Sequence, residues 1–198
     1  MSTLNHFNRR GLDLDTPRYW LIDHVEYPIL FFKHVSKLLP PGSILYFEGG
    51  KISPAAAELY AAHKATNAME VVQETVMPMP QIFHCTVSDE FLRTLGEMAM
   101  THKAPGLFNH LKAYREAKLL FAWSNAYEGA LRISDHVPEE SVEHFCQALG
   151  VSPCREKATA PKPEPIERVS LTSNDSEDEE EVTSVSWAQR AWTWLKKN

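Results

Sequence analysis

The sequence predicts an α/β domain, with α+β as the neighbouring possibility: a mixed sheet of about five strands with helices packed on it. Two observations carry that prediction. The first hundred residues alternate three times between a short apolar run and an amphipathic helical pattern, as βα units do. After them come two strand-like runs joined by a short polar turn, which reads as a hairpin. The early units are expected to lie parallel, because a crossover helix returns the chain to the same edge of the sheet. The later hairpin is expected to add antiparallel strands.

The first unit is a strand over 19–25 and a helix over 28–39. Phe31, Val35, Leu38 and Leu39 share one face of that helix, and Pro40-Pro41-Gly42 stops it. The second is a strand over 43–48 and a helix over 54–64. Ser53 offers a capping hydroxyl, and Pro54 suits the first helical position. The third is a strand over 81–87 and a helix over 89–101, where Ser88 can cap and Asp89 and Glu90 match the positive end of the helix dipole. Residues 65–80 between the second and third units are ambiguous. Val71 and Val72 could start a strand, and Met77-Pro78-Met79-Pro80 is held extended by proline.

Residues 106–114 read as a short helix, and 118–123 and 130–133 as the hairpin strands around a 124–129 turn. A helix over 138–149 closes the domain. It has Glu139 and Glu140 in its first turn, Val142, Phe145, Cys146 and Leu149 on one face, and Gly150 as the cap.

Composition then divides the chain. Residues 1–18 read as an N-terminal arm and 19–150 as the domain. Residues 151–183 read as a disordered acidic linker rich in proline and serine; six of the seven residues at 175–181 are acidic, so they repel one another and bury nothing. The last segment, 184–198, holds Trp187, Trp192 and Trp194. Projected on a helix, these fall with Ala188, Ala191 and Leu195 on one side, opposite Gln189, Arg190, Thr193, Lys196 and Lys197. A free helix of a dozen residues is marginal in water, so this one calls for a surface: its own domain or a partner. Membrane-surface binding is the weaker alternative, since the acidic run opposes anionic lipid.

The 198 residues carry a net charge of −6, with 43% hydrophobic and 23% charged residues, as in ordinary globular proteins. Residues 1–150 hold 13 Lys and Arg against 17 Asp and Glu, and no basic cluster suggests nucleic-acid binding. Three cysteines make no disulfide framework, and Cys85 and Cys146 are expected to pack as small apolar groups. The N-terminus lacks the apolar core of a secretory signal, which points to the cytoplasm. Nine histidines show no H-x-x-x-H pair and no partnering C-x-x-C, so no metal or other cofactor is expected. Glu48-Gly49-Gly50-Lys51 lacks the spacing of a phosphate loop.

Ligands bind at the carboxyl ends of parallel strands, and there the sequence offers Asp23, His24 and Glu48 as an acid–base set. Cys85 with a histidine is a second catalytic option. In size, acidity and aromatic content the domain is similar to bacterial immunity proteins, and residues 119–150 resemble small bacterial α/β proteins of uncharacterised activity. The immunity-protein resemblance implies a toxin-neutralising binder. The expectation is therefore a non-enzymatic cytosolic module of immunity or adaptor type, which binds a protein partner through Trp187, Trp192, Trp194 and Leu195. The alternative is a small hydrolase or transferase built on Asp23, His24 and Glu48.

Overall fold

A computed structural model describes residues 11–14, 16–75 and 79–157. Within them the chain runs β1 (Arg18–Ile22), α1 (Pro28–Leu38), β2 (Ile44–Gly49), α2 (Pro54–Ala62), β3 (Gln81–Thr86), α3 (Asp89–Thr101), α4 (Ala104–Leu107), β4 (His110–Arg115), β5 (Lys118–Trp123), β6 (Leu131–Ser134), α5 (Glu139–Leu149) and β7 (Cys154–Lys157). The strands form a seven-stranded sheet in the order β3-β2-β4-β5-β6-β1-β7. Every neighbouring pair is antiparallel.

This overturns the mixed five-stranded sheet with parallel βα units. Following the alternation along the strand order, β1 and β2 do point the same way, but β4, β5 and β6 stand between them. β3 and β4 also point the same way, with β2 inserted between them. In those two units the helical connection leaves the strands in one direction but not adjacent, whereas β2 and β3, joined through α2, are antiparallel neighbours. The gaps are filled by strands that arrive through the β4–β5–β6 meander. Two strands also escape the sequence pattern. β4 occupies most of the 106–114 stretch read as a helix, and β7 lies beyond Gly150, in the stretch read as linker; it pairs with β1.

Local signals hold where they are chemical. The Ser53 and Ser88 hydroxyls accept from the Ala56 and Phe91 amides, at 3.3 and 3.2 Å, to cap α2 and α3. Gly150 ends α5 at φ 71°, the left-handed conformation that glycine adopts without strain.

The helices lie on one face of the sheet, over Leu45, Phe47, Leu111, Ala113, Phe121, Trp123, Leu131 and Ile133. Phe31 of α1 is the hub of this core. Its ring meets Phe121, Trp123 and Phe145 at centroid separations of 5.7, 4.9 and 5.7 Å, and it is fully buried.

The opposite face is built differently. The connection from β2 to β3 turns around the sheet edge after α2. Ala65 N–H donates to the His84 carbonyl and Thr86 N–H to the His63 carbonyl, which covers the outer edge of β3. Residues 65–75 then cross the second face as a strap over β2 and β4. Val71 packs there with Tyr46, Tyr114, Leu119 and Ala122. Leu12 joins the strap through a parallel bridge to Val71. A Cβ on Gly11 would stand 2.8 Å from the Val71 carbonyl carbon, so only glycine allows this approach.

Candidate functional site

The densest set of titratable groups lies under the strap. On β2 the side chains of Tyr46 and Glu48 alternate onto the second face. On β4 those of His110, Lys112 and Tyr114 do the same, and cross-strand register sets Tyr46 beside Lys112 and Glu48 beside His110. His84 of β3 stands on the other side of Tyr46.

Glu48 is fully buried. The Tyr46 hydroxyl donates to its Oε2 at 2.7 Å, the Glu74 amide donates at 3.1 Å to Oε1, and the Thr75 amide donates to Oε1 as well. Both oxygens act as acceptors. Burial, then the bond to Glu48, push the Tyr46 phenol far above its usual range.

Lys112 is only 1% exposed. Its Nζ donates to the Val72 carbonyl at 2.8 Å and pairs with Glu74 Oε1 at 2.9 Å. The other Glu74 oxygen lies 3.5 Å from His110 Nδ1, which also accepts from the Asn125 amide at 3.3 Å. Burial alone would push the Glu74 carboxyl up. The Ser124 hydroxyl, the Lys112 ammonium and His110 outweigh it and hold the group below its ordinary value.

A third clamp is Tyr114. Its hydroxyl accepts from the Met69 amide at 3.1 Å and meets His84 Nδ1 at 2.9 Å. Burial holds His84 below its ordinary value.

These groups are engaged in binding the strap. Glu48 takes two of its backbone amides, Lys112 one carbonyl and one carboxylate, and Tyr114 one amide. The chemistry the cluster performs is internal: it satisfies the backbone polar groups of a segment that has no ladder of its own.

Of the residues singled out in the sequence, Glu48 is in this cluster. Asp23 and His24 are exposed and follow β1, four strand positions away from β2. At about 4.8 Å per strand that is a separation on the order of 19 Å, so the three do not converge. Cys85 is buried on the helix-bearing face, its thiol directed at the Tyr60 carbonyl at 3.6 Å; burial pushes it up to about 12, which keeps it from serving as a thiolate nucleophile. Trp187, Trp192, Trp194 and Leu195 lie outside the described residues. Sequence reasoning missed Tyr46, Glu74, His110, Lys112 and Tyr114. The available signal was the period-two alternation His110-Leu111-Lys112-Ala113-Tyr114, which a helix reading of that stretch conceals.

Two surface features remain. Tyr27 and Ile29 of the α1 entry and Met100 of α3 expose apolar side chains; Met100 is 70% exposed. Between α1 and α5 a groove of about 270 Å³ is lined by His34, Lys37, Ser141, His144, Phe145 and Ala148. Among the described residues, no group of three or more His, Cys, Asp and Glu side chains could hold a metal ion, and no helix is long and apolar enough to cross a membrane.

Comparison with protein-family models, with curated proteins and with solved structures gave no match.

Proposed function

We propose that this protein is a non-catalytic binding module of adaptor or immunity type, whose working state is a complex with another protein. The observation that carries the proposal is the terminal segment: three tryptophans and a leucine within nine residues, on one side of a helical projection. Trp is the residue most enriched among binding anchors, and a short amphipathic helix is a common occupant of partner grooves.

The exposed Tyr27, Ile29 and Met100 support the same reading, as apolar surface that a partner would cover. So does the engagement of Glu48, Lys112 and Tyr114 in holding the strap, which leaves their polar atoms little capacity for a substrate. A free exposed thiol at Cys154 suits a reducing compartment such as the cytosol.

The test is affinity capture with the intact chain and with a Trp187→Ala/Trp192→Ala/Trp194→Ala variant. A stoichiometric protein recovered by the first and lost by the second, with unchanged melting of both baits, is the expected result. Equal recovery by both baits, or none by either, overturns the proposal.

A further inference from the structure

The groove between α1 and α5 is lined by three basic side chains, His34, Lys37 and His144, and by no acidic one, in a chain whose net charge is −6. α1 carries Lys33, His34 and Lys37 and has no acidic residue along its 11 positions. At 3.6 residues per turn, His34 and Lys37 share the flank that faces α5, while Lys33 stands on the outer surface of α1, between that flank and Ile29. Ile29 belongs to the other flank, beside Gly96 of α3.

α5 is sorted in the complementary way. Ser141, His144 and Ala148 recur at i, i+3 and i+7 and turn toward α1. Glu139 and Glu143 recur at i and i+4 on the far flank, where Glu139 meets Arg155 of β7 at 3.5 Å. Glu140 stands on the outer surface beside His144. Among the described residues neither Lys33 nor Lys37 forms an ion pair. Burial first, and then Lys33 and Lys37, hold His34 below its ordinary value, as expected where positive charge lacks a counter-charge. Phe145 and Ala148 supply an apolar wall.

From this geometry we infer that the α1–α5 groove binds an acidic peptide segment of a protein partner. Its carboxylates meet Lys37 and the two histidines, with Lys33 outside the groove on the exposed surface of α1, and its aliphatic stems lie on Phe145 and Ala148. The inference rests on the binding-module reading and names the partner's chemistry at a second place on the chain. The interaction is electrostatic and exposed, so it weakens between about 0.05 and 0.5 M salt.

The test is an NMR titration of the full isotope-labelled chain with end-blocked hexaglutamate, using citrate as a small polyanion for comparison. The expected result is saturable shifts confined to residues 33–37 and 141–148. In a Lys33→Gln/Lys37→Gln variant whose spectrum is otherwise that of the parent, binding falls about tenfold. Absence of saturation at millimolar peptide, shifts centred elsewhere, or indifference to the double variant overturns the inference. So does citrate binding as tightly as the peptide, which would make this a small-anion site. A chain that captures its partner through the tryptophans yet ignores hexaglutamate loses the groove assignment alone. One that binds hexaglutamate but captures nothing loses the binding-module reading.

Discussion

Replacing Lys112 by methionine isolates the strap's attachment. Methionine nearly matches the lysine stem in volume, so the second-face packing survives and only the ammonium is lost. Two interactions go with it: the 2.8 Å bond to the Val72 carbonyl and the 2.9 Å pair with Glu74. Removing one partner of a buried ion pair costs about 3–5 kcal/mol. Glu74 is 29% exposed, so water can take up its freed oxygen, and the low end, about 3 kcal/mol, is the expected loss. For a domain of this size that is a fall in Tm of about 6–12 °C. Urea unfolding gives the free energy directly, and a cycle with Glu74→Gln gives the coupling. The double variant is expected to lose less than the sum of the singles by about 1 kcal/mol. A Lys112→Met protein within about 0.5 kcal/mol of the parent, or a strictly additive cycle, refutes the view that this pair holds the strap.

Four further outcomes are expected. Among the described residues the buried Tyr127 hydroxyl has no hydrogen-bond partner, while its ring stacks on Phe108; Tyr127→Phe should therefore leave stability unchanged or raise it by up to about 1 kcal/mol in urea unfolding. A Cβ on Gly129 would overlap the Ser124 carbonyl oxygen, so Gly129→Ala must break the turn before β6 and should cost about 2 kcal/mol or more by the same measurement. Because Glu74 is held below its ordinary 4.5, its contribution is complete above that value and is lost as pH falls through the lower folded value; in Glu74→Gln the acid limb of the stability–pH curve should flatten. The Cys85 and Cys146 thiols are buried and pushed up to about 12 and about 11, so a thiol-reactive dye at pH 8 should label the exposed Cys154 rapidly and the other two only on unfolding.

The legible parts of this fold are those whose cause is local. A serine three residues before an unpaired amide caps a helix wherever the chain goes next, so Ser53 and Ser88 could be read directly. The apolar stripe of α5 with its terminal Gly150 is equally self-contained. β5 reads as a strand because both its faces are apolar or nearly so. β4 did not read as one because its second-face residues are His110, Lys112 and Tyr114. They are buried because the strap and His84 supply partners that lie 30 or more residues away in the chain. The same holds for the candidate site. Glu48 was visible as an acid at a strand end, but its role as an acceptor for the strap depends on residues 74 and 75.

The sequence by itself determined the four longer helices, α1, α2, α3 and α5, and which of their faces are apolar, since these follow from side chains three or four residues apart; it misread residues 106–114, most of which form β4. It also determined the segregation of charge and tryptophan toward the end of the chain. Tertiary structure decided the sheet. A helix between two strands fixes neither the direction of the second nor how many positions away it lands: β2 and β3 are joined through α2 and pair antiparallel. In this chain the β4–β5–β6 meander fills the gap between β1 and β2, β2 fills the gap between β3 and β4, and every pairing becomes antiparallel. That choice separates Asp23 and His24 from Glu48, and brings Glu48 and Lys112 together under the strap.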